Sequence, residues 1–195
     1  YWLEEMGVDG LRFDLMKTLT RKDFSNENAF INAISQDPVT SNKDISGEPW
    51  DCAGYELGGM GPKTAEWNDF FQKIVWQYWR GDQGMLPNLA KALTGCRDIF
   101  GFGPHKSMNY AAVHDGKTVR DRVTWMGKYN EANREGNRDG QNDDHACNYG
   151  VEGETDHPEI VKIRYQQMRN VIGTVLLAQG RPLLQAGDEI ANTQH

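Results

Sequence analysis

The chain has 195 residues, 25% charged and 38% hydrophobic, which is enough for one substantial core. Its net charge of −7, from 21 basic and 28 acidic residues with no Lys/Arg cluster, argues against nucleic acid or an anionic membrane as a partner. No apolar run approaches the ~20 residues of a membrane helix. Cys52, Cys96 and Cys147 are too scattered for a disulfide framework or a Cys-x-x-Cys metal knuckle, which fits a reducing compartment.

The chain opens on Tyr1-Trp2-Leu3, without methionine and late in a helix that stops at Gly7, and it ends in the polar stretch Asn192 to His195. It reads as a piece of a longer protein. After a turn at Val8-Asp9-Gly10, Leu11 to Phe13 predicts a short strand that carries Arg12 and delivers Asp14 at its carboxyl end. Ser25 and Asn26 are N-cap candidates for a helix from Glu27 to about Gln36, with Ala29, Phe30, Ala33 and Ile34 at helical spacing and Pro38 as the stop. Asp44 to Gly47 predicts a second strand, followed at once by Glu48-Pro49-Trp50-Asp51 and a loop rich in glycine.

From Asp69 the spacing predicts a helix with Phe70, Phe71, Ile74, Val75, Tyr78 and Trp79 on one face, closed by Gly81. Pro87 starts a shorter helix that Gly95 closes. A third strand is expected over Asn109 to Val113, leading to His114-Asp115-Gly116, and Thr118 to Trp125 reads as helical. Met126 to His157 is long and polar, a length that in a compact domain points to a functional or disordered loop. Asp156 as N-cap and Pro158 as first residue open a long helix to Gln179, closed by Gly180, before a last strand over Leu183 to Ala186.

Alternating strands and helices predict an α/β fold with parallel strands. Strands ending in Asp14, Glu48, Asp115 and Asp188 suit a (β/α)₈ TIM barrel, whose active site lies at that end. A barrel needs about 250 residues, so residues 1–195 are expected to be its C-terminal part, a partial catalytic domain. Such a piece leaves sheet edges open and is expected to be inactive and poorly soluble by itself. Carboxylates at separate strand ends allow metal binding or glycoside hydrolysis, and their neighbours favour the second. Arg12 shares a strand face with Asp14 and is suited to keep it ionised. Pro49 and Trp50 give Glu48 an apolar setting that favours a retained proton. His114 offers a hydrogen bond to a hydroxylated ligand. His105, His145, His157 and His195 stand at no metal-ligand spacing and are expected at the surface. The acidic stretch Asn137 to Asp144 lacks the ligand spacing of an EF-hand. No metal or cofactor is expected.

The segments GVDGLRFDL, ISGEPWD and NYAAVHDG resemble, in order and spacing, three conserved regions of the α-amylase superfamily of glycoside hydrolases. Within it the likeness is greatest to bacterial glycogen debranching enzymes and isoamylases. It is carried by Pro49-Trp50, AEWND (Ala65 to Asp69), HDGKTVRDRV (His114 to Val123), NEANREGNRDG (Asn130 to Gly140), NYGVEG (Asn148 to Gly153) and QGRPLLQAGDE (Gln179 to Glu189). The resemblance implies a retaining hydrolase of α-1,6 branch points in glycogen or limit dextrin, acting in the cytoplasm. It implies Asp14 as nucleophile, Glu48 as acid and base, and Asp115 as the third acid, with Arg12 orienting Asp14 at the substrate and His114 binding sugar hydroxyls; Trp50, read from its own chemistry, is a candidate either to stack on a sugar or to pack under the loop. It also implies that AEWN is a strand, so that five strands, the fourth to eighth of the barrel, are present. The family's first conserved region precedes this chain. Lys17 stands where debranching relatives more often carry an apolar residue and many amylases carry Lys. The alternatives are an α-1,4-acting amylase or transglycosylase of the same superfamily, a non-catalytic glucan-binding homologue and, more distantly, a metal-dependent barrel lyase.

Overall fold

The computed structural model describes residues 1–20, 28–101 and 103–195. In chain order its elements are β1 (Gly10–Phe13), α1 (Ala29–Gln36), β2 (Asp44–Gly47), β3 (Trp50–Asp51), β4 (Gly54–Tyr55), β5 (Thr64–Trp67), α2 (Asp69–Arg80), α3 (Leu86–Leu93), β6 (Ser107–Tyr110), α4 (Val119–Arg122), α5 (Pro158–Leu177) and β7 (Arg181–Leu183). Five strands form one sheet in the order β1-β2-β5-β6-β7, and β3 and β4 form a separate hairpin. The pairs β1–β2, β2–β5 and β5–β6 are parallel. Strands thus neighbour one another in chain order, as successive strands of a (β/α)₈ barrel do, and the α/β expectation holds. Among the described residues no helix is long and apolar enough to cross a membrane.

Contacts divide the chain into two compact units. The first comprises Tyr1–Asn68, Thr94–Met108 and Gln179–Arg181. Its frame is β1 against β2, in register from Gly10↔Asp44 to Phe13↔Gly47. Gly47 makes room for the Met16 side chain: a Cβ there would lie 2.4 Å from Met16 Sδ and force that side chain to shift. Met16, Ile31 and Met60 make a small core, with Phe13, Phe30 and Ile34 packed on it. The helix expected from Glu27 begins at Ala29, and its cap is Asn28, whose side chain accepts from the N–H groups of Phe30 and Ile31 (2.9 and 3.1 Å). The cap candidates Ser25 and Asn26 lie outside the described residues.

The second unit comprises Asp69–Leu93, Asn109–Ala178 and Pro182–His195. Phe71, Ile74, Val75 and Trp76 of α2 join Leu89, Ala92, Val119, Val123, Met168, Val171 and Val175 in its core, while Phe70, Tyr78 and Trp79 border it. The third strand departs from expectation. It runs over Ser107–Tyr110, and Ala111 to Val113 are buried but leave the ladder. The Ala111 carbonyl instead accepts from Trp76 Nε1 (2.9 Å) and Gln72 Nε2 (3.2 Å), so side chains of α2 replace a neighbouring strand. The last strand likewise begins two residues early, at Arg181. Helix α5 starts at Pro158 as expected, but the cap position is His157, not Asp156, and makes no side-chain bond. Its N–H donates to Thr155 Oγ1 (3.2 Å), so the turn closes on the threonine and Asp156 points away to solvent.

The polar stretch from Met126 contains only a single short 3-10 turn, Glu131–Asn133, yet it is held in place. The Glu152 carboxylate accepts from the N–H groups of Met126 and Gly127, from Tyr129 Oη and from Asn148 Nδ2. Arg164, buried on α5, donates to the carbonyls of Asn148, Val151 and Gly153. Two point anchors therefore replace the regular ladder that this sequence cannot form. His145, expected at the surface, is buried. Arg122 donates to the carbonyl of the preceding Asp144 at 2.6 Å and draws that turn inward, and burial lowers the imidazole's proton affinity.

Candidate active site

Asp14 and Glu48 follow directly on the paired residues Phe13 and Gly47, so two carboxylates leave neighbouring parallel strands at the same level. Adjacent strands lie about 4.8 Å apart, which sets the scale of their separation. The backbone then makes them unlike. Leu15 takes a left-handed conformation (φ 40°), unusual for a branched side chain, and its N–H donates to Glu48 Oε2 at 2.8 Å. This turn leaves Asp14 exposed and covers Glu48, which is 1% exposed.

Arg12 joins the two. One guanidinium nitrogen donates to Asp14 Oδ1 at 2.8 Å and the other to Glu48 Oε1. The guanidinium itself lies over the Trp67 ring, 4.4 Å from its centroid, an arrangement that fixes its plane as well as its place. The expected pairing of Arg12 with Asp14 is thus present. The apolar setting expected for Glu48 from Pro49 and Trp50 is not what its carboxylate meets: it accepts from an arginine and a backbone N–H. Trp50 is half-buried on the β3–β4 hairpin, opposite Tyr55.

Trp67 was not singled out by the sequence, although it sits inside the AEWND motif, and neither was its neighbour Glu66. Glu66 accepts from Gly58 N–H (2.6 Å) and Met60 N–H (3.0 Å) and pairs with buried Lys106 (3.1 Å). Burial raises its pKa above the usual 4.5 against the opposing pull of Lys106. These bonds fix the glycine-rich loop after the hairpin. An acidic residue between two apolar ones was the available signal.

His114 and Asp115 belong to the second unit, where both are exposed and His114 Nε2 lies 3.4 Å from Asp115 Oδ1. Asp188 is buried, its Oδ1 accepting from the Val119 N–H (3.2 Å), and burial raises its pKa. Glu189 accepts from the Gly187 N–H. Both therefore satisfy backbone groups.

No family model matches the chain. A Mycobacterium tuberculosis protein described as a glycogen operon protein GlgX homolog is 43% identical over the whole of this chain, and a glycogen debranching enzyme of Erwinia tasmaniensis is 40% identical. The chain spans 28% and 30% of those proteins, less than a third of the curated relatives it matches. Among solved structures, a pullulanase from Anoxybacillus sp. complexed with maltotriose superposes on the whole chain with a TM-score of 0.66 at 27% identity, the match covering 25% of that protein. The motif resemblance is borne out: along its whole length this chain is similar to proteins described as glycogen debranching enzymes.

Proposed function

We propose that this chain is part of the catalytic barrel domain of a retaining α-glucan hydrolase that opens α-1,6 branch points of glycogen or limit dextrin in the cytoplasm. The observation that carries the reading is the single Arg12 guanidinium bonded to both Asp14 and Glu48. One guanidinium reaches two carboxylates only when they are close, and retaining enzymes need a spacing of about 5–5.5 Å. The names of the relatives support the polymer and the bond.

In this mechanism exposed Asp14 attacks the anomeric carbon while Glu48 gives a proton to the departing glycosidic oxygen. The product of the first step is a glycosyl ester on Asp14. Glu48, now a carboxylate, takes a proton from water, whose oxygen attacks the same carbon and frees Asp14. Asp115 and His114 hold sugar hydroxyls and favour the cationic transition state, and Trp50 offers a face for a sugar ring. Arg12 holds the Asp14 carboxylate in place, and entry of the sugar loosens its second bond, to Glu48, so that Glu48 can carry a proton.

The test is Asp14→Asn and Glu48→Gln in the whole protein. Each is expected to abolish nearly all release of linear chains from branched dextrin with the melting temperature kept. Near-normal turnover by Asp14→Asn overturns the assignment. Iodine staining of glycogen separates the alternatives: debranching raises it and internal α-1,4 cleavage lowers it. Glycogen binding without any new reducing ends marks a non-catalytic homologue.

A further inference from the structure

The amino ends of the strands in the first unit carry the opposite chemistry from the end that holds Asp14 and Glu48. A pocket of about 270 Å³ opens there, lined by Ser41, Lys43, Asp44, Lys63, His105 and Arg181 among others. Asp44 and Arg181 are the first residues of β2 and β7, Lys43 precedes β2 and Lys63 precedes β5. From Asp44 along β2 to Glu48 the extended chain covers about 13 Å, at ~3.3 Å per residue, so this pocket is separate from the pair of catalytic carboxylates.

Three cationic side chains and one carboxylate line the pocket, in a chain whose net charge is −7. The carboxylate does little to offset them. Asp44 pairs with Arg181 at 2.8 Å, but the two are 74% and 37% exposed, and an ion pair so open to water is weak. Nearby Asp37 is turned onto the N–H groups of Val39 (2.9 Å) and Thr40 (3.0 Å). Lys43 Nζ donates to the Val8 carbonyl and Lys63 Nζ to the Ser35 carbonyl, both at 3.1 Å. These bonds hold the two ammonium groups in place without neutralising them, and most of their donors remain for a ligand. The Arg181 guanidinium likewise spends a single N–H on Asp44.

What such a pocket takes follows from charge and shape. Its cationic excess excludes a metal ion, which would need carboxylate ligands. No Trp, Tyr or Phe lines it, so it lacks the flat face on which a sugar ring stacks. Its volume falls just below the ~300 Å³ at which pockets for larger organic ligands begin. Ammonium groups and a planar guanidinium with spare donors match the oxygens of a phosphate, which accepts several charge-assisted bonds at once.

We propose that this pocket is an anion site for orthophosphate or for the phosphate group of a small phosphate monoester, with Lys43, Lys63 and Arg181 as its donors. The bound anion ties together the amino ends of β2, β5 and β7, and so stabilises the sheet whose other end carries Asp14 and Glu48. The site does not depend on the glucan reading.

The test titrates the whole protein with inorganic phosphate and, separately, with glycerol 3-phosphate, at an ionic strength held constant with sodium chloride so that screening is the same throughout. A saturable rise in Tm with either probe is expected, because the anion binds the folded state. A rise with both assigns the site to the phosphate group alone, and a rise with glycerol 3-phosphate only assigns it to an ester. No rise with either overturns the proposal. In calorimetry Lys63→Gln weakens Kd about tenfold, the loss of one charge-assisted bond, while Lys63→Arg keeps Kd within about threefold. Asp44→Asn removes the one lining carboxylate and is expected to tighten binding, which a variant that merely loosened the sheet would not do. An unchanged Kd in Lys63→Gln, or weaker binding in Asp44→Asn, overturns the proposal. So does a phosphate-dependent rise in KM for branched dextrin at unchanged kcat, which would place the anion in the glucan cleft instead.

Discussion

Lys17 donates to Glu56 at 2.5 Å. The aliphatic part of Lys17 also lies against Gly54, where a Cβ would come within 2.7 Å of its Cε. The residue of the first motif that departs from the debranching pattern is therefore engaged with the β3–β4 hairpin, the same hairpin that carries Trp50.

This geometry assigns Lys17 a local task and not the choice of bond. Lys17→Met in the whole protein is expected to leave iodine staining of glycogen rising during digestion. Because Glu56 is 45% exposed and its charge partly screened, the lost ion pair costs at most about 1 kcal/mol. The KM for branched dextrin rises as the hairpin loosens. A switch to falling iodine staining would instead show that Lys17 selects the bond.

Glu66 and Lys106 form the most buried ion pair described here, at 0% and 1% exposure. Removing one partner of such a pair strands the other charge, at a cost of about 3–5 kcal/mol. Glu66→Met is the harsher single change, since it also frees the N–H groups of Gly58 and Met60. The double variant Glu66→Met/Lys106→Met is expected to be less destabilised than either single variant. Denaturant unfolding of the three variants checks this, and additive losses would mean that the two side chains act independently.

Much of the frame that carries Asp14 and Glu48 was legible because it is local. Strands β1 and β2 are short segments with turn residues beside them, and each delivers its acid one residue later, so Asp14 and Glu48 could be read from order alone. Strand β5 could not. Its four residues include Glu66, whose charge is tolerated only because Lys106 arrives from 40 positions away. The third strand was placed two residues late for a similar reason, since Ala111 to Val113 look like strand but are satisfied by side chains of α2. Trp67 beneath Arg12 depends on a chain crossing that no periodicity encodes. The long polar stretch reads as a loop because its order comes from two anchors, Glu152 and Arg164, that lie outside its first half.

Glu152 gives that order a pH dependence. Burial pushes its carboxyl up, but the bonds from Gly127 N–H, Tyr129 Oη, Met126 N–H and Asn148 outweigh this and bring its pKa from 4.5 to about 2. A carboxyl with a depressed native pKa stabilises the fold above its unfolded pKa and loses that contribution as pH falls through the native value. The Glu152 contribution is therefore complete above about pH 4.5 and disappears towards pH 2. The same bond raises the pKa of Tyr129 above its usual 10.0, so the tyrosine's share is present below that value and lost as pH rises beyond it. Trp125 reports on both, because Tyr129 packs edge-on against it at 5.3 Å. In the whole protein, near-UV circular dichroism is expected to lose part of its aromatic signal between pH 4.5 and 2. In Glu152→Gln the signal should already be reduced at neutral pH, with a shallower acid slope. Identical acid titrations of the two proteins would remove Glu152 as the anchor of the long polar stretch.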